Sequence, residues 1–115
     1  MSLRHAAAMT AVVWFLVFPQ IRNDTRAKSL SLETGMPLSK WRKSGQFGSL
    51  AECQQRLARF RKDSNAAYQR EMEHARAHSD DPDEPGYVRF RTATKNQAAA
   101  AMCVADDDPR LKKSY

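Results

Sequence analysis

Apolar positions along the chain fall into separate groups with different periods. Residues 6–18 are almost continuously apolar, alanine-rich at first and then dense in β-branched and aromatic side chains from Val12 to Phe18, where Pro19 stops the run. A short apolar run closed by proline predicts a buried strand over 12–18. Residues 20–38 are polar and interrupted by Gly35 and Pro37, which predicts a loop or weakly structured excursion. Trp41 and Phe47 anchor a second expected strand, 41–47, in which apolar and polar residues alternate imperfectly.

The clearest signal follows. Ser49 with Glu52 three residues on is a capping box, which satisfies backbone N–H groups of a first helical turn. Leu50, Cys53, Leu57 and Phe60 then share one helical face, and Gln54, Gln55, Arg59, Arg61 and Lys62 lie opposite. Beyond Asp63 the apolar stripe thins to Ala67, Met72 and Ala75, as in a solvated helical extension or a fraying end. Residues 79–86, rich in aspartate and proline, are a loop. Tyr87–Arg91 would suit the start of a strand, but the alanine-rich residues after it favour a second helix near 88–101, returning antiparallel to the first. Met102–Ala105 reads as a short buried strand, ended by three aspartates and Pro109.

The pattern therefore predicts an α+β fold: a small three-stranded sheet (12–18, 41–47, 102–105) packed by one long and one shorter helix. Residues 12–111 form the single domain. Residues 1–11 are the remnant of a signal peptide or a helical lead-in, and 112–115 a tail. Trp14, Phe15, Trp41, Phe47, Leu50, Leu57, Phe60 and Val104 are the expected core.

Length and charge narrow the picture. At 115 residues the chain builds one modest core, and the apolar run at 6–18 is shorter than the ~20 residues a spanning helix needs. The net charge of +6 is unevenly spread. Arg22, Arg26, Lys28, Lys40, Arg42 and Lys43 crowd one stretch against Asp24 and Glu33, while Asp80, Asp81, Asp83 and Glu84 carry the opposite sign without a base among them. Basic charge attracts nucleic acid, anionic lipid and envelope polymers alike and does not select among them. The two cysteines stay separate thiols in a reducing compartment and pair in an exported protein.

Three blocks carry a resemblance. They are Trp14-Phe15-Leu16-Val17-Phe18-Pro19; Pro37-Leu38-Ser39-x-Trp41 followed by Phe47-x-Ser49-x-Ala51-Glu52-Cys53; and Cys103-Val104-Ala105-x-Asp107-Asp108-Pro109-Arg110-Leu111. In these the chain resembles a group of small, uncharacterised exported bacterial proteins, although Gln20 stands where that group usually has a second proline. The resemblance implies a periplasmic or otherwise extracytoplasmic location. It also implies pairing of Cys53 with Cys103, a staple between the first helix and the last strand; both cysteines lie on apolar segments. No activity, cofactor or ligand comes with it. Trp41 to Phe60 is also similar to one strand–helix unit of the sporulation-related repeat that binds denuded peptidoglycan glycan.

The remaining chemistry is sparse. Glu71, His74 and His78 share a helical face, but Ala75 follows His74, so the His-Glu-x-x-His arrangement of metalloproteases is absent. They read as a solvated polar face, and Asp80 to Glu84 as a solvated turn. No nucleophile–base order, phosphate loop or dinucleotide fingerprint occurs. No catalytic residue, metal or cofactor is expected, and the protein is not expected to be an enzyme. Arg22, Arg26, Lys28, Lys40, Trp41, Arg42 and Lys43 form the candidate ligand or partner surface. The expected role is a non-enzymatic interaction module or accessory subunit of an envelope complex. Its partner would be a protein rather than nucleic acid, with membrane contact only peripheral or through the N-terminal segment. The alternative is a basic module for an anionic polymer, either nucleic acid or cell-wall glycan.

Overall fold

A computed structural model of the chain describes residues 12–24 and 29–112. The fold is α+β, with a three-stranded antiparallel sheet, a separate two-stranded hairpin and two long helices. Strand β1 (Trp14–Phe18) is central, flanked by β4 (Arg42–Phe47) and β5 (Met102–Ala105) in the order β4-β1-β5. All three strands lie where the apolar pattern places them.

Residues 20–38, expected as a loop, instead contain β2 (Ile21–Asp24) and β3 (Ser29–Leu32), paired antiparallel with Ile21 opposite Leu32 and Asn23 opposite Leu30. Ile21, Leu30 and Leu32 are half-buried on one face of this hairpin, and Arg22, Ser29 and Ser31 are exposed on the other. The hairpin packs on the second helix. Burial of one apolar face there overrides the polar composition that suggested a loop.

The imperfect alternation of β4 has a structural cause. Phe18 and Val17 pair with Arg42 and Lys43, whereas Phe15 and Trp14 pair with Gln46 and Phe47, so one extra β4 residue is accommodated between the two sets. This is a bulge, and Gly45 within it has φ +91°. Residues directly opposite on antiparallel strands share a face. Arg42 therefore lies on the face of Phe18, and Phe47 on the face of Trp14, the same side of the sheet, although the two are five positions apart.

Helix α1 (Leu50–Ala77) runs unbroken for 28 residues, so the expected extension beyond Asp63 is a continuation of the same helix. Ser49 Oγ accepts from the Glu52 N–H at 3.1 Å, the Ser49 half of the capping box. Helix α2 (Glu84–Ala100) begins earlier than expected and takes in Tyr87–Arg91, the segment that might have started a strand. The two helices form an antiparallel hairpin. Arg61, placed on the solvent side by the pattern, donates instead to the carbonyls of Ala98, Ala99 and Ala101 at 3.1, 3.4 and 3.0 Å and so caps the end of α2.

The core lies where α1 crosses the sheet. Leu16, Cys53 and Ala101 are buried together, with Trp14, Phe18, Phe47, Leu57, Phe60 and Cys103 packed around them. Leu16 pairs with Cys103 across β1 and β5, which turns Cys103 toward the helix. Cys53 and Cys103 form a disulfide, Cα atoms 6.1 Å apart and 50 residues apart in sequence. Phe15, Trp41 and Leu50 do not join this cluster. Phe15 lies on the opposite face, with the Lys43 ammonium 4.7 Å above its ring. Trp41 donates its indole N–H to the Met36 carbonyl, and Leu50, in the first helical turn, is exposed. Val104 is buried as expected, on the Phe15 face.

A compact domain of this length has a radius of gyration of about 13 Å; here it is 18.4 Å, with extents of 71 × 31 × 13 Å. The helical hairpin accounts for the difference. Cys53 is the only α1 residue fully buried, so much of the hairpin is a two-helix arm. No helix among the described residues is long and apolar enough to cross a membrane.

Candidate functional site

A cavity of about 540 Å³ opens between the sheet and the base of the helical hairpin. Phe18 and Phe60 form its back wall, their rings 5.5 Å apart and tilted at 51°. Arg42 and Ser44 line it from β4, on the helix-facing side of the sheet that the bulge lets them share with Phe47. Arg56, Arg59 and Asp63 line it from α1, one position beside the Cys53–Leu57–Phe60 stripe. Phe90, Thr94 and Gln97 close it from α2, with Gln20 from the link after β1 and Ile21 from the start of β2. Two hydrogen bonds hold this frame: Gln97 Nε2 donates to the Pro19 carbonyl at 2.8 Å, and Gln20 Nε2 to the Lys40 carbonyl at 3.0 Å. Arg56 and Arg59 also border an adjoining hollow of about 270 Å³ against Phe47, Glu52 and Gln55.

Among the described residues, Arg42, Arg56 and Arg59 make no ion pair; the ion pairs there involve His74, Glu71, Glu84, Asp108 and Arg110. Three guanidinium groups thus share a cavity with a single carboxylate, Asp63, and with exposed ring surface. Phe90 keeps about half its surface in solvent. Guanidinium forks bind carboxylates through paired hydrogen bonds and stack on aromatic faces.

The described residues of the basic surface expected from the sequence do not all share one face. Of its described residues only Arg42 lines the cavity. Lys43, its neighbour in β4, projects to the other face of the sheet over Phe15. Arg22 is exposed on the outward side of β2, Lys40 contributes a carbonyl, and Trp41 is turned to Met36. Arg26 and Lys28 lie outside the described residues. Sequence reasoning missed Arg56 and Phe90 as site residues and gave Arg59 no more than a place on the solvent side. The signal available was the Arg56, Arg59, Asp63 spacing, a charged stripe running directly beside the apolar one.

A second constellation sits at the far end of the arm. His74 Nδ1 is 3.0 Å from Glu84 Oε2 and 3.6 Å from Glu71 Oε2. His78 stacks on His74 with ring centroids 4.1 Å apart, and its Nδ1 is 3.0 Å from the His74 carbonyl oxygen. The solvated reading of this face holds for the exposed His74 and His78, while Glu71 is half-buried. Glu84, expected in a solvated turn, is 3% exposed in the first turn of α2. Its proximity raises the Glu71 carboxyl above its ordinary value: the two carboxyls share a hydrogen bond, burial adds to the shift, and like charge adds further, against the opposing pull of His74 and Arg91. At the other end of the molecule, hydrogen bonds from Arg110 hold the Asp108 carboxyl below its usual range.

No protein-family model, curated protein or solved structure matches the chain.

Proposed function

We propose that the protein is a non-enzymatic module of the bacterial extracytoplasmic space, an accessory subunit that holds an acidic segment of a protein partner in the arginine-lined cavity. The observation that carries this reading is the convergence of Arg42, Arg56 and Arg59 on one cavity walled by Phe18, Phe60 and Phe90. Its volume falls in the range that takes a small ligand or a few side chains. Three guanidiniums against one carboxylate favour further carboxylates, and the rings add apolar area at the same place. The disulfide supports an oxidising compartment, as does the resemblance of the three sequence blocks to exported bacterial proteins.

Charge distribution favours a short acidic segment over a long polyanion. Along α1 beyond the cavity, Glu71 and Glu73 stand between Arg70 and Arg76, which interrupts a basic track for a nucleic acid or charged glycan on that helix. The test is the native size of the protein in gently solubilised envelope extracts. It is expected to elute well above its own 13.1 kDa together with its partner. Arg42→Glu, Arg56→Glu and Arg59→Glu combined should release that partner, while Arg70→Glu on the arm should not. A free monomer, or a triple variant that keeps its partner, ends this reading. Steep salt-dependent binding to a cell-wall polymer or nucleic acid would put the anionic-polymer alternative in its place.

A further inference from the structure

The Glu71, His74 and Glu84 group is independent of the cavity. Glu71 and His74 are three residues apart on α1 and therefore neighbours on its surface; the reversal at 78–83 brings Glu84 to them from α2. One ligand atom from each of the three side chains lies within 4.8 Å of the others. The two shorter separations, 3.0 and 3.6 Å, bracket the roughly 3.4 Å between neighbouring donors around a tetrahedral ion with bonds near 2.1 Å.

Glu84 supplies the independent observation. Its side chain is buried, and Oε1 has no hydrogen-bond partner. Oε2 meets His74 Nδ1, but a buried carboxylate with one oxygen left unsatisfied is costly, and it is out of place at the tip of an arm with little apolar packing to hold it. Glu71 beside it shares a hydrogen bond with it while a proton lies between them and repels it when both are ionised. A cation removes both costs at once. We infer that Glu71, His74 and Glu84 form a site for a first-row transition dication such as zinc, clamping the tip of the helical hairpin. One imidazole nitrogen with two carboxylates is a donor set suited to such ions, and less to calcium or magnesium, which take oxygen throughout. His78, whose Nδ1 meets the His74 carbonyl and whose ring stacks on His74, orients the ligating imidazole. His74 is half exposed, which leaves room for water or a partner's side chain to complete the coordination.

The experiment is calorimetric titration of the full, untagged, disulfide-bonded chain with zinc chloride, paired with cobalt(II) absorption spectra. One zinc per chain is expected, with micromolar or tighter affinity and visible cobalt bands of a four- or five-coordinate N/O site. His74→Ala and Glu84→Gln should each weaken zinc at least tenfold. Glu84→Gln keeps the side-chain shape, and far-ultraviolet circular dichroism checks that the helices persist in both variants. Glu52→Gln, at the opposite end of α1, should leave zinc binding unchanged. Absence of saturable uptake up to 100 μM zinc, or uptake that survives both His74→Ala and Glu84→Gln, overturns the site.

Discussion

Gly45 decides which side chains reach the cavity. It sits in the β4 bulge at φ +91°, and an added Cβ would meet the Phe47 ring at 3.2 Å. An L side chain in that backbone region costs about 1–2 kcal/mol, and the Phe47 ring must also move. Gly45→Ala is therefore expected to destabilise the protein by about 1–2 kcal/mol, read from the midpoint of urea unfolding. The bulge explains why the alternation of 41–47 looked faulty: the pattern contains two registers joined at Gly45. Residue by residue, the core was legible where an apolar side chain lay on a single helical face or on the central strand, as for Leu57, Phe60 and Trp14. It was not legible for Phe15 or Leu50. Hydrophobicity cannot tell which face of a strand meets the helix, or how far a first turn projects beyond the sheet.

At the scale of elements, the capped amphipathic helix and the three sheet strands were readable because one period dominates each. The β2–β3 hairpin was not, since only Ile21, Leu30 and Leu32 carry its apolar face. The Ser29-Leu30-Ser31-Leu32 alternation was its one local trace. The candidate site is harder still, because the cavity joins residues from β1, β4, α1 and α2 that share no spacing. Glu84 shows the same limit: four acidic residues in a row of turn formers read as solvent-facing, and only the closing of the helical hairpin buries the last of them. Arg61 is the corresponding case for α2. Its guanidinium reaches from α1 to the Ala98 and Ala101 carbonyls, adding to the Ala101 N–H bond that the Ala98 carbonyl accepts. Arg61→Ala should cost about 1–2 kcal/mol in urea unfolding. Arg61→Lys should recover little, because an ammonium cannot span several carbonyls as the fork does.

For the whole molecule, the disulfide is the dominant constraint. It closes a 50-residue separation, which in the chain-entropy account is worth about 4 kcal/mol. Reduction, or Cys53→Ser with Cys103→Ser, should lower unfolding stability by about that amount, measured in urea with and without a phosphine reductant. The bond ties the start of α1 to the strand that follows α2, so both helices lie within one covalent loop whose mouth is fixed on the sheet. The length of that loop is then a free variable. Adding one residue to each helix lengthens the arm by about 1.5 Å and turns its tip through about 100°, while the sheet, the core and the arginine cavity keep their places. The direction in which His74 and Glu84 face relative to the cavity is thus set by counting residues between the half-cystines. Paired insertions would swing one end of the molecule like the hand of a dial about a stationary centre.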